Sequence, residues 1–331
     1  MTRSTRTQRG AMPLPSPWLI LVFLLLQGNP VDVAKLPGDL NEEDELGNNF
    51  NKGSNNQDGD PEGALSSNEE AQGLSNYTAY EEWMDDYPTC NGMRQSPVDV
   101  ENEKVETKIL DVHGLRGSGY KVQPISMTIT NNGHSVMLSG KWPKNKTPTI
   151  WGGPLPGVYM FTQMHFHWGA DDSYGSEHTF DQESFPLEVH VVHFKTAYGN
   201  MSNALEYDDG VLVIATLLAI GEHQNVALDK IQANFQDILT PGQSKTLEPF
   251  ALKYFIGGIF NGSYVSYLGS LTTPPCSEAV IWFLSLRIRS VSTEQMEAFR
   301  QIKLNNDFKY NNRNTQPLNG RQIMHYHYTS E

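Results

Sequence analysis

Ten consecutive residues without a polar face, Val211-Leu-Val-Ile-Ala-Thr-Leu-Leu-Ala-Ile220, constrain this chain more than any other stretch. A strand with one wet face alternates apolar and polar side chains, because successive side chains point to opposite sides. A run without that alternation is buried on both faces. It is far short of the roughly 20 residues that a membrane-spanning helix needs. The run therefore belongs at the centre of a wide sheet covered on both sides. Alternating or apolar runs at Met127–Thr130, Val136–Leu138, Tyr159–His167, Glu188–Phe194 and Val280–Arg289 supply further strands. Helical periodicity is confined to two stretches. In Val226–Leu239, the side chains of Val226, Ile231, Phe235 and Ile238 share a face ahead of Pro241-Gly242. In Thr293–Ile302, Ser292 and Gln295 form a candidate capping box. The expected fold class is mostly β (α+β): a single domain on a large central, mainly antiparallel twisted β-sheet with a few peripheral helices.

The N-terminal quarter has a different composition. Arg3, Arg6 and Arg9 precede the apolar run Trp18–Leu26, the pattern of a secretory signal peptide extending to about residue 34. Residues 35–74 are rich in Asn, Gly, Asp, Glu and Ser and bury too little apolar surface to offset the entropy of ordering. They are expected to form an acidic disordered segment, followed by a folded domain over 75–328 and a short tail at 329–331. The formal net charge is −14, and residues 39–86 hold fourteen acids against the single base Lys52. Such a chain is no partner for nucleic acid. The acidic segment is a solvated linker or a weak binder of Ca²⁺ or of a basic surface. No C-terminal apolar tail is present, so stable membrane insertion is not expected. Secretion makes the sequons at Asn76, Asn145, Asn200 and Asn261 candidate glycosylation sites. Cys90 and Cys276 are the only cysteines. An oxidising compartment permits one bridge between them, contributing about 4 kcal/mol on a chain-entropy view; two buried free thiols are the alternative.

The chemistry-bearing stretch is Gln163-Met-His165-Phe-His167. In a strand, His165 and His167 project from one face with Gln163 beside them. His190, in the run Leu187–His193, is a third imidazole on a second strand. Together they can make an open three-nitrogen metal site. On spacing alone, such a pair is more often polar surface or a satisfied buried pair than a metal site. His325-Tyr-His327 repeats it with no third ligand in view.

Eight segments extend this reading: Gln95-Ser-Pro-Val-Asp99, Asn131-Asn-Gly-His134, Gln163–Gly169, Gly175-Ser-Glu-His-Thr179, Glu188-Val-His190, Leu271-Thr-Thr-Pro-Pro275, Val280-Ile-Trp282 and Gln316-Pro-Leu-Asn-Gly-Arg-Gln322. In this order and spacing, across 75–328, the chain resembles the α-class carbonic anhydrases of the secreted, single-disulfide type. The resemblance implies a zinc lyase that reversibly hydrates carbon dioxide to bicarbonate and a proton by attack of zinc-bound hydroxide. It implies His165, His167 and His190 as Zn²⁺ ligands, oriented by Gln163, the backbone carbonyl of Asn311 and Glu188 respectively. It makes Thr272 and Glu177 the pair that orients the attacking oxygen. It places Val192, Val213, Leu271, Trp282, Thr272 and Thr273 along the CO₂ site. His134 becomes the proton shuttle, with Tyr77 and Asn132 ordering its waters and Tyr80 as the rival to Tyr77. Met137 departs from the family, where an amide is common in fast members. The family bridges Cys90 to Cys276, which would pin the loop carrying Thr272. The resemblance makes His178 and His193 buried structural residues, while His113, His223, His325 and His327 read as surface or tail. The alternative function is a catalytically weak, secreted binding or matrix protein acting through the acidic segment.

Overall fold

The computed structural model describes residues 80–110, 114–256, 258–261 and 264–328. The expectations for the signal peptide, the acidic segment, Asn76, Tyr77 and residues 329–331 lie outside the described residues. So do those for His113 and for the side chains of Tyr80, Asn261 and His327.

Fifteen strands and four short α-helices make up the described residues. The strands are β1 (Asp99–Val100), β2 (Val105–Leu110), β3 (Leu115–Ser118), β4 (Ser126–Asn131), β5 (Val136–Lys141), β6 (Thr149–Gly152), β7 (Tyr159–Trp168), β8 (Thr179–Phe180), β9 (Leu187–Lys195), β10 (Val211–Ile220), β11 (Ser244–Leu247), β12 (Tyr264–Gly269), β13 (Val280–Ser285), β14 (Arg289–Val291) and β15 (Ile323–Tyr328). The helices are α1 (Tyr80–Asp86), α2 (Met201–Ala204), α3 (Val226–Gln232) and α4 (Thr293–Arg300). Thirteen strands form one twisted sheet, ordered β11-β4-β5-β7-β9-β10-β13-β12-β15-β2 with β14, β3 and β6 joined at its margins. Only β10–β13, β10–β14 and β15–β2 run parallel within it. The fold is mostly β, with the sheet mainly antiparallel.

Strand β10 lies between β9 and β13, and its alternate residues feed two separate cores. Leu212, Ile214 and Leu218 enter one apolar cluster, while Val211, Val213, Ala215 and Leu217 enter the other. Each such buried aliphatic side chain contributes about 1.5–3 kcal/mol. On β7, Met164, Phe166 and Trp168 belong to the first cluster. On β9, Leu187, Val189 and Val191 do the same. Period two then sends Gln163, His165 and His167, together with Glu188 and His190, to the opposite face. The helices α3 and α4 seal the first face through Leu228, Ile231, Met296 and Phe299. The capping box at Ser292 and Gln295 starts α4.

Two elements are shorter than the sequence pattern suggests. The helix at Val226 ends at Gln232 and gives way to a 3₁₀ turn at Phe235–Asp237. Its cause is local: the Asn234 side chain takes the Lys230 carbonyl, so the Asn234 backbone N–H bonds Ile231 instead. The run Val280–Arg289 divides into β13 and β14. Ala215 pairs with Leu284 and Leu218 with Arg289, so two extra residues are looped out between them. The Ser285 hydroxyl accepts the Arg287 N–H inside that bend. His325 is a correction: it is buried, not surface or tail. Strand β15 is inserted between β12 and β2, which makes it an interior strand. His223 is exposed, and His178 and His193 are buried as expected.

Candidate active site

His165 and His190 are cross-strand partners on β7 and β9, and His167 follows two residues on. Their ring centroids lie 4.5–5.1 Å apart. Each ring turns one nitrogen outward to a fixed partner. His165 Nδ1 lies 2.9 Å from Gln163 Oε1, His167 Nδ1 lies 2.9 Å from the Asn311 carbonyl, and His190 Nε2 lies 2.7 Å from Glu188 Oε1. All three partners are acceptors, so each outward nitrogen carries the proton. The inward nitrogens are then bare lone pairs. Burial holds all three imidazoles below the usual pKa, with His167 at about 3, so they are neutral at physiological pH.

Bare nitrogens facing one another repel unless a cation lies between them. His165 Nε2 and His190 Nδ1 are 3.3 Å apart, and buried His167 Nε2 has no hydrogen bond. All three donor atoms lie within 4.8 Å of one another. The set fits a metal ion with nitrogen preference and an open fourth position. A second group, His178, Glu188 and His190, meets the same spacing. It does not fit: His178 Nδ1 and Nε2 are taken by Glu188 Oε1 at 2.7 Å and the Tyr267 hydroxyl at 2.8 Å.

Glu188 is the anchor of the site. Its two oxygens accept from the backbone N–H groups of Glu177 and His178, from His178 Nδ1 and from His190 Nε2. Burial raises its pKa, but the neighbouring histidines and these bonds outweigh burial and hold it well below the usual value. Glu177 shows the reverse. Burial, then the charge of Glu188, raise it well above the ordinary range. The Arg313 backbone N–H, 3.0 Å from Oε1, and the Thr272 hydroxyl oppose that rise, as would a cation held by the histidines. Oε2 makes no hydrogen bond of ordinary geometry.

The other expected site residues fall around this centre. Val192, Val213 and Trp282 are in the second apolar cluster, with Leu271 packed against it. The Trp282 ring lies 4.8 Å from that of His190, and its Nε1–H donates to the Ser270 carbonyl. Thr272 is buried and Thr273 half-buried, in the loop joining β12 to β13. Cys90 and Cys276 are bonded, tying that loop to the segment after α1. His134 is half-buried on the turn joining β4 to β5, and burial lowers its pKa. Asn132 is exposed there, and its Oδ1 accepts the N–H groups of His134 and Ser135. Met137 is half-buried and is the cross-strand partner of His165, so it shares that face. Asn145 and Asn200 are exposed, and Asn200 also caps α2 through the Asn203 N–H. Sequence reasoning missed the Ser135 hydroxyl, the Asn311 side chain and the contact of His178 with Glu188. The first two act on residues 31 or more positions away and the third joins residues ten apart, with no local pattern to reveal any of them.

The eukaryotic-type carbonic anhydrase family model matches residues 78–327. The chain is 36% identical over 247 residues to carbonic anhydrase 6 of Bos taurus, covering 73% of this chain and 75% of that protein. It is 35% identical over 248 residues to carbonic anhydrase 6 of Canis lupus familiaris, with the same coverage. A match over three quarters of the chain, with the three imidazoles assembled on one sheet face, leads to one conclusion: this protein is a carbonic anhydrase and belongs to the eukaryotic-type family.

Proposed function

We propose that this protein is a secreted zinc enzyme that interconverts carbon dioxide and bicarbonate. One observation carries the proposal: three neutral imidazoles, each with its outward N–H fixed, turn bare nitrogens toward a common point. His165, His167 and His190 would hold Zn²⁺, whose preference for nitrogen ligands suits them. When bound, the ion supplies Lewis acidity that brings the pKa of a coordinated water to about 7, a value for which carbonic anhydrase is itself the known example.

The chain's own residues do the rest. With a cation held by the histidines to offset the burial that raises Glu177, Thr272 turns its hydroxyl proton toward the carboxylate, because an ionised carboxylate only accepts. Its oxygen is then free to accept from the reacting water and orient it. Val192, Val213, Leu271 and Trp282 give the uncharged substrate an apolar wall, with Thr273 at its edge. His134 takes the released proton to solvent, a task suited to an imidazole near neutral pH. Met137 puts a thioether, a poor water-ordering group, on the face that His165 occupies, so it offers the waters of the proton path no strong hydrogen-bond partner. The Cys90–Cys276 bond fits an oxidising compartment, where Asn145 and Asn200 are accessible glycan acceptors. No helix among the described residues is long and apolar enough to cross a membrane.

Stopped-flow hydration of carbon dioxide, on protein whose metal content is measured, tests this reading. One zinc per chain, loss of activity with a chelator and return on adding zinc are expected. A protein with full zinc and no hydration would sink the proposal.

A further inference from the structure

The turn that carries His134 is fastened from several sides by amides and one hydroxyl. Asn131 Oδ1 accepts the Gly133 N–H, while its Nδ2 donates to the carbonyls of Ile238 and Lys303. The Gly133 carbonyl accepts the Asn305 N–H. The Ser135 hydroxyl donates to the Phe166 carbonyl at 2.6 Å and accepts the Phe166 N–H at 3.1 Å. Phe166 is the residue between two of the zinc ligands proposed above.

Asn311 completes the link. It is fully buried, and both its N–H donors and its carbonyl oxygen are engaged with these two elements. Nδ2 donates to the His134 carbonyl at 2.9 Å and to the Phe166 carbonyl at 2.8 Å. Oδ1 accepts the Trp168 N–H at 2.8 Å. The orientation of the amide is forced, because two carbonyls need a donor and one N–H needs an acceptor. Only an amide of this size meets all three at once. An aspartate keeps the acceptor but sets a charged oxygen against two carbonyls.

We infer that the Asn311 side chain is a positioning residue that holds the His134 turn in register with the strand carrying His165 and His167. This goes beyond its backbone carbonyl, which orients His167, and it rests on the reading of His134 as the proton shuttle. Catalysis tolerates little misplacement of a proton-transfer group, because a water chain must span a fixed distance. Loosening the turn therefore slows proton exit.

The test uses the zinc-loaded full chain and four proteins: wild type, Asn311→Asp, His134→Ala and the double variant. The readout is the gain in maximal hydration rate when imidazole is added to weak buffer. His134→Ala should be slow and rescued at least 5-fold. Asn311→Asp should raise the rescue at least 3-fold above wild type and lose zinc faster to a chelator. In the His134→Ala background it should add less than 1.5-fold, since no shuttle remains to be placed. A wild-type rescue ratio in Asn311→Asp, or an equal increment with and without His134, overturns the inference. No rescue of His134→Ala overturns the shuttle reading instead, and the inference with it. If Asn311→Asp does not fold, Asn311→Ser takes its place. Slow exchange of the Asn311 side-chain amide protons in the wild type is expected throughout, and exchange like that of an exposed amide counts against the proposal.

Discussion

Glu188 shows how much one buried side chain can be asked to do. A carboxylate has about four acceptor positions, and here four N–H groups occupy them. Two come from the backbone of the segment that carries Glu177, one from His178 and one from the proposed ligand His190. The same contacts settle the folding of that segment, the tautomer of the ligand and the charge of the carboxylate itself. Glu188→Gln keeps the shape but offers an NH₂ group where two N–H groups expect an acceptor. Two donors are then left facing a donor, which costs about 3 kcal/mol. The His190 ring also loses its strongest orienting partner, so zinc affinity should fall about 10–100-fold. Urea unfolding of the metal-free proteins and competition with a chromophoric chelator measure the two effects separately. Unchanged zinc affinity in Glu188→Gln would mean that packing alone holds the His190 ring.

The loop between β12 and β13 is the element on which the proposed chemistry depends most and which has the least regular structure. Ser270 exchanges two hydrogen bonds with Ser96, Leu271 N–H reaches the Ser277 carbonyl, and Cys276 N–H reaches that of Thr273. The disulfide and the Thr89 hydroxyl, which donates to the Pro275 carbonyl, add ties to the N-terminal segment. Removing the covalent tie leaves the short local bonds, so the loop should open locally before the sheet unfolds. Reduction, or Cys276→Ser, should speed proteolysis within residues 270–279 and lower the hydration rate, while strand β10 stays protected. Unchanged cleavage of that loop would show that its hydrogen bonds suffice. Legibility in the sequence follows the same division. Strands β7, β9 and β10 were readable because each buries a long periodic or uninterrupted apolar run. Strands β3, β6 and β11 were not, because each buries a single side chain, Leu115, Ile150 and Leu247 respectively. In β15 an inward position is His325, and a buried histidine carries no hydrophobic signal. The three proposed ligands were visible as a pair and a single. Their convergence depends on the pairing of β7 with β9, 25 residues apart at His165 and His190, and the Asn311 amide that ties β7 to the His134 turn depends on contacts more than 100 residues apart in the chain.

At the scale of the whole molecule, the buried histidines make stability depend on pH in a direction that can be worked out. His193 is the informative one, because it stands apart from the proposed metal centre. It is fully buried between the Tyr120 hydroxyl, 2.7 Å from Nε2, and the Leu212 carbonyl. Burial pushes its pKa down to about 4, while an unfolded histidine titrates near 6.5. Between those values the unfolded chain binds a proton that the folded chain refuses, so stability falls as pH falls. The contribution is intact above about pH 6.5 and is lost progressively down to about pH 4, amounting to about 3 kcal/mol. The three proposed ligands add to this in the metal-free protein, and in the zinc protein protons compete with the metal, steepening the loss. His193→Gln cannot titrate and keeps a polar contact for Tyr120. Metal-free wild type and His193→Gln, unfolded in urea at pH 7.5, 6, 5 and 4.5, should therefore converge: the variant starts less stable and the wild type approaches it as pH falls. Parallel curves over that range would show that His193 binds its proton as readily folded as unfolded, and that acid instability resides in other groups such as Glu188 and the proposed ligands.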